Sequence, residues 1–259
     1  MRNALEIEDL HVRYGLRDVV AGVSLNVPVG RTLGLVGESG SGKSTIANAA
    51  VGLAPVHGGD IRVLGTRAIG RSREAKAARR RIQMVFQDPF SALDPRMTIG
   101  ESIAEGLKAT GRELSRADRR DRVAELLRQV DLDPGRAGEL PKSFSGGQRQ
   151  RITIARALAG EPEVLIADEV TSALDVSVQS TVLNLLRDLQ QRLGLSMLFI
   201  SHNLAVVRYI SDEIAVMRQG RIVEFGETEA LLEHPSEPYT RELLAAVPVL
   251  GRRLEFEGV

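Results

Sequence analysis

Apolar and polar positions change their period several times along the chain, and those changes mark out its elements. Ala4 to Leu10 alternates, and Val19 to Val27 carries branched residues around Gly22 and Ser24, so the first thirty residues read as β-structure. Thr32 to Val36 is a short apolar run with the length and flanks of a buried strand, and Thr45 to Val51 has the composition of a helix start. Pro55 to Gly59 breaks that helix. Asp60 to Leu64 then predicts a strand closing on a Gly65 turn, and Ile82 to Phe86 another that runs straight into Gln87-Asp88-Pro89.

From Phe90 to about Gly160 the period becomes helical. Ser115 with Asp118 makes a capped start, Val123, Leu126, Leu127 and Val130 recur on one face, and Asp133-Pro134-Gly135 stops the helix. Pro141 to Gly147 is a polar turn, and Gln148 to Ala159 a helix rich in Arg and Ala. Strand character resumes at Glu163 to Glu169. A helix from near Asp175 follows, with Val178, Val182, Leu185, Leu186, Leu189 and Leu193 on one stripe and Gly194 at its end. Met197 to Ile200 reads as a strand, Asn203 to Ile210 as a short helix, and Glu213 to Met217 and Arg221 to Phe225 as strands about Gln219-Gly220. Beyond Pro235, a stretch with Pro238, Tyr239 and Pro248 predicts a helix with irregular flanks. Strands alternating with helices imply an α/β fold with a mainly parallel sheet, and the helical region reads as an insertion in it.

Composition narrows the classes. Lys plus Arg equals Asp plus Glu at 34 each, so no global basic field attracts nucleic acid. Arg67 to Arg81 holds seven basic residues and one acid, but without interleaved aromatics it reads as a solvated helical face. The absence of cysteine excludes disulfides and thiolate metal sites. The N-terminus lacks the apolar core of a signal peptide, and no stretch approaches the ~18 apolar residues of a spanning helix. A soluble cytoplasmic protein is expected, reaching a membrane only through a partner.

The candidate chemistry begins at Gly37-Glu38-Ser39-Gly40-Ser41-Gly42-Lys43-Ser44-Thr45, which matches G-x-x-x-x-G-K-[ST] between a predicted strand and a predicted helix. Glycines let backbone amides curl around an anion, and the helix adds its positive end. Lys43 is placed to reach the β- and γ-phosphates of a nucleotide and Ser44 to ligate Mg²⁺. A glycine-rich turn that happens to precede Lys-Ser is the plainer reading. Asp168-Glu169 ends an apolar strand, where open α/β sheets bind ligands. Asp168 is a candidate for Mg²⁺ beside Ser44, and Glu169 for polarising the attacking water. His202, after the next strand, either joins this site or caps the following helix. Gln87 and Tyr14 say little alone.

The order in which these residues occur carries more. Phosphate loop, Gln87, Phe144-Ser145-Gly146-Gly147-Gln148, Asp168-Glu169, Ser172-Ala173-Leu174-Asp175 and His202 together resemble the nucleotide-binding subunit of an ATP-binding cassette (ABC) transporter, over nearly the whole chain. The resemblance implies a P-loop NTPase (RecA-like) fold at residues 1–235: a mainly parallel core sheet, an N-terminal antiparallel β-subdomain and a helical subdomain inserted at about 90–160, with a short extension at 236–259. It implies an ATPase using ATP and Mg²⁺. Ser145 to Gln148 become the signature motif, Asp175 the end of the D-loop, His202 the switch histidine, and Tyr14 the aromatic that stacks on adenine. Gln87 becomes the Q-loop residue, near both metal and water. Two cassettes, identical or related, then sandwich two ATPs head to tail, with Ser145 and Gly147 touching the γ-phosphate held by the partner.

Met84 to Arg96 and His234 to Arg241 further resemble the oligopeptide, dipeptide and nickel branch of importers. That branch implies membrane permease subunits, an extracytoplasmic solute-binding protein and a place at the cytoplasmic face of the membrane. Two features depart from it. Many members carry a cysteine-bearing C-terminal extension, whereas this sequence has no cysteine; and the family's proline after the glutamate is Val170, which restores an N–H and loosens the loop. Two other readings belong to different classes: a soluble ABC ATPase acting on DNA or ribosomes, and an accessory ATPase of a phosphonate-degrading complex.

Overall fold

Two sheets share the strands. In the computed structural model, residues 2–172 and 174–245 are described, the side chains of residues 89, 90 and 176 excepted. Ala173 of the predicted D-loop, and residues 246–259 of the predicted extension with Pro248, lie outside them. In chain order the elements are β1 (Asn3–Tyr14), β2 (Arg17–Pro28), β3 (Thr32–Val36), α1 (Lys43–Val51), β4 (Val56–Val63), β5 (Thr66–Arg67), α2 (Arg73–Arg80) and β6 (Ile82–Val85). Four helices follow, α3 (Pro89–Ala92), α4 (Ile99–Gly106), α5 (Arg116–Gln129) and α6 (Gly146–Ala159). The chain then runs through β7 (Val164–Asp168), α7 (Val176–Leu193), β8 (Ser196–Ser201), α8 (Leu204–Ile210), β9 (Glu213–Arg218), β10 (Arg221–Glu227), α9 (Thr228–Glu233) and α10 (Pro238–Ala245).

The larger sheet has the order β10-β9-β3-β8-β7-β6, and the smaller, antiparallel one the order β2-β1-β4-β5. Only β10 runs against its neighbour in the larger sheet; β9, β3, β8, β7 and β6 are parallel. Such strands must be covered on both faces, which explains why β3, β7 and β8 are unbroken runs of buried residues. Val164 and Ile166 of β7 pack toward the small sheet and α1, while Leu165 and Ala167 pack toward the helices on the other face. The same alternation sends Leu198 and Ile200 one way and Met197 and Phe199 the other. Parallel pairing places the carboxyl ends of β3, β8, β7 and β6 side by side on one edge.

The helical stretch lies between β6 and β7. Thr98 and Glu101 form a capping box at the start of α4, and Ser115 caps α5 by accepting from the Asp118 amide. Ile99, Ile103 and Leu107 make a buried stripe at helical spacing. Sequence reading passes over α4 because it is two turns long and bounded by Pro95 and Gly106. Other boundaries shift too. The first strand continues to Tyr14, and β4 begins at Val56 instead of Asp60. In that β4 extension His11 pairs with Gly58, so pairing with β1 overrides the local glycines. Within the basic stretch, Ser72 caps α2, whose Ala75 and Ala78 are buried while Arg73 and Arg80 are exposed and Arg79 reaches back to the Ala68 and Gly70 carbonyls.

Candidate nucleotide site

The site is built where β3, β8, β7 and β6 end. Gly42 precedes α1 with φ 109°, in the left-handed region, and a Cβ there would lie 2.7 Å from the Val19 carbonyl oxygen. No side chain caps α1, so its positive end stays open to an anion. The helix begins at Lys43, two residues before the predicted start. Lys43 is 4% exposed, and its ammonium donates to the carbonyls of Gly37 and Glu38, each at 2.8 Å. Burial pulls its pKa below the ordinary value, against the attraction of Glu169, Asp168 and Glu38.

Ser44 Oγ donates to Asp168 Oδ1 at 3.1 Å, so the hydroxyl on α1 meets the carboxylate ending β7. Hard oxygen donors of this kind suit Mg²⁺. Asp168 is nearly buried; burial raises its pKa, the Ser44 hydrogen bond opposes that, and Glu169 adds to it. A carboxyl whose pKa is raised holds its proton more tightly folded than unfolded. Its charge therefore costs stability above the raised pKa, and the cost fades as pH falls through that value toward the ordinary 3.8. Asp168→Asn is accordingly expected to raise the melting temperature of the ligand-free protein by about 2–4 °C per kcal/mol relieved, and to abolish the extra stabilisation by ATP with Mg²⁺. Differential scanning fluorimetry with and without Mg²⁺ reads both; a destabilised variant still protected by Mg²⁺ would contradict the assignment.

Glu169 sits at φ 48°, a left-handed conformation costing an unbranched residue on the order of 1 kcal/mol or more. Its amide donates to the Ile200 carbonyl at 3.0 Å, fixing the turn against β8, and Val170 behind it is buried. Glu169 Oε1 lies 3.2 Å from His202 Nδ1. His202 does not cap α8: Asn203 does, accepting from the Ala205 and Val206 amides at 3.0 and 3.4 Å. The imidazole is thus left beside the glutamate.

Gln87 follows β6 on the same sheet edge. Its amide donates to Ser172 Oγ at 3.2 Å, and Ser172 Oγ donates to the Glu169 carbonyl at 2.9 Å, making a relay from the end of β6 to the turn holding Glu169. Ser145 caps α6, accepting from the Gln148 amide at 3.3 Å, while its own amide donates to Gln148 Oε1 at 3.0 Å. The helix therefore opens at Gly146, before the predicted Gln148. A Cβ on Gly147 would lie 2.4 Å from Val178 Cγ1, so only glycine lets α6 approach α7 there. Asp175 precedes α7 with no side-chain capping bond, and Tyr14 is about half exposed where β1 ends, opposite Arg17.

Sequence reasoning missed what holds the loop from behind. The Gly220 amide, in the β9–β10 turn, donates to the Ser41 carbonyl at 2.9 Å, and the Glu38 amide donates to Tyr239 Oη at 2.9 Å. Neither contact leaves a local signal, since 201 residues separate Glu38 from Tyr239.

A phosphate loop joined by Ser44–Asp168 to a glutamate–histidine pair defines a P-loop ATPase cassette. A family model described as ABC transporter matches residues 20–172, and the chain belongs to that family. It is 47% identical over 265 residues to the oligopeptide transport ATP-binding protein OppF of Escherichia coli (strain K12), covering 97% of this chain and 79% of that one. The OppF of Salmonella typhimurium shows the same identity and coverage. Among solved structures, cbiO1 of Clostridium perfringens, part of the ABC transporter complex cbiONQ, matches with TM-score 0.81 and 26% identity over 90% of this chain and 92% of that one. A dimeric ATP-binding cassette bound to ADP and Pi matches with TM-score 0.76 and 28% identity over 86% of this chain and 98% of that one. The protein is an ATPase of the ABC transporter family.

Proposed function

We propose that this chain energises the import of peptides, or of nickel or related small solutes carried by the same branch. The observation that carries the mechanism is the assembly of four elements on one sheet edge: phosphate loop, Asp168-Glu169, His202 and Gln87. ATP binds on the loop with Lys43 and the amides of α1; Ser44 and Asp168 would hold Mg²⁺, which would supply charge neutralisation at the phosphates. Glu169, oriented by His202, takes the proton of the attacking water.

Ser145 and Gly147 open a helix of their own, and the Ser145–Gln148 cap leaves amide donors at its start for the γ-phosphate held by a partner cassette. The partner is a second copy or a related chain. ATP then joins the two faces, and cleavage removes the charge that joined them. The relay Gln87–Ser172–Glu169 ties this event to the helical stretch. There a groove of about 1110 Å³, lined by Arg96, Met97, Glu101, Lys108, Arg116 and Arg120 among others, supports docking of a permease segment. No helix among the described residues is long and apolar enough to cross a membrane, which fits attachment through permease subunits at the cytoplasmic face. A solute-binding protein then chooses the cargo.

Affinity purification of the full chain from its native membranes tests the reading. Membrane-spanning subunits are expected to co-purify, and deletion of the gene to abolish uptake of a labelled tripeptide. Recovery of soluble enzymes or nucleic acid in their place would favour the accessory or nucleic-acid-linked alternatives.

A further inference from the structure

The phosphate loop is gripped from outside as well as from within. Glu38 is its second residue, and the partner of its amide is Tyr239 Oη on α10, at 2.9 Å. The tyrosine is 5% exposed, and the Arg218 guanidinium lies over its ring, 4.7 Å from the centroid. Burial raises the phenol's pKa, so it is a neutral hydroxyl at physiological pH.

The start of α10 is itself tied down. Glu224 of β10 accepts from the Ser236 amide and Oγ, each at 2.7 Å, and from the Glu237 amide at 3.4 Å. Arg241 reaches back to the Pro235 carbonyl at 2.9 Å. Arg218 ends β9, and two residues later the Gly220 amide holds the Ser41 carbonyl. The β9–β10 hairpin therefore carries one clamp on the loop directly and anchors the helix that supplies the other.

We propose that Tyr239 is a positioning residue for nucleotide binding: its hydroxyl, delivered by α10, holds the Glu38 amide so that the phosphate loop keeps its anion-receiving shape before ATP arrives. A flexible glycine-rich loop would otherwise spend part of its time in shapes that present fewer amides inward. Apparent affinity falls in proportion to the competent fraction. The inference rests on the reading of Gly37 to Thr45 as the phosphate loop.

Tyr239→Phe in the full chain removes the hydroxyl and keeps the ring and its packing under Arg218. The KM for ATP is expected to rise roughly threefold to tenfold, the span of one lost neutral hydrogen bond, with kcat at saturating ATP nearly unchanged. Hydrogen exchange of the peptide containing Glu38 is expected to quicken while that of β7 and β8 stays the same. A purely structural role would lower kcat or melting temperature and leave KM alone; that result, or unchanged KM and exchange, overturns the proposal. Lys43→Ala is the parallel measurement. If it loses ATP affinity while Tyr239→Phe does not, only the role of Tyr239 fails; if Lys43→Ala binds ATP like the wild type, the loop reading fails and this inference with it.

Discussion

Glu169→Gln is expected to cut ATP turnover by roughly 10²–10⁴-fold, the range for loss of a general base, while ATP still binds. The physical reason lies in what glutamine keeps. It has the size to hold the same place at φ 48° and to stay within reach of His202 Nδ1, 3.2 Å from the present carboxylate oxygen. Lys43, Ser44 and Asp168, the proposed contacts to nucleotide and metal, are untouched. Only the basicity is lost. Uncleaved ATP should then accumulate between two cassettes, so gel filtration with ATP and Mg²⁺ should show a dimer that the ligand-free variant lacks. A variant that turns over at the original rate would remove Glu169 from its role. One that is inactive but stays monomeric with bound ATP would leave the glutamate in place and contradict the sandwich.

The second large effect is expected at Ser145→Asp. Most substitutions of Ser145 would confuse two causes, because its hydroxyl caps α6 through the Gln148 amide. Aspartate is as good a helix cap as serine, so folding stability should change by no more than about 0.5 kcal/mol. In the proposed head-to-tail pair, however, a carboxylate at that point would face the γ-phosphate of the partner's ATP. Loss of a donor to developing charge already costs about 10²–10³ in rate, and an added negative charge should cost at least as much. A stable, monodisperse but inactive protein is the expected outcome. Full activity would mean that the start of α6 never meets a phosphate.

How much of this was legible beforehand follows from how local each signal is. The phosphate loop and Asp168-Glu169 are contiguous in the sequence and sit at the ends of apolar runs, so strand and site could be read together. The parallel sheet followed from the same runs. Their lateral order, β3-β8-β7-β6, did not, because pairing between strands far apart in the chain leaves no period in either. That order is what sets Glu169 beside His202.

The role of His202 illustrates the limit. Its position alone allowed a helix cap or a site residue, and the neighbouring Asn203 decides between them by doing the capping itself. The bond from Gln87 to Ser172 depends on a side-chain choice that no local period records. The grip of Tyr239 on Glu38 was beyond reach, since a tyrosine in a Pro-Tyr run looks the same whether it packs or positions. The early start of α6 at Gly146 could have been found: Ser145 followed three residues later by Gln148 is a capping box in plain sequence.

The shared pocket can be tested most directly by mixing two inactive variants, Lys43→Ala and Ser145→Asp. Each alone lacks every complete site, whereas a mixed head-to-tail pair restores one, built from the intact loop of the serine variant and the intact α6 start of the lysine variant. Composite pockets predict that the mixture hydrolyses ATP although neither component does. A mixture as inactive as its parts, under conditions where wild-type chains dimerise and hydrolyse ATP, would contradict them.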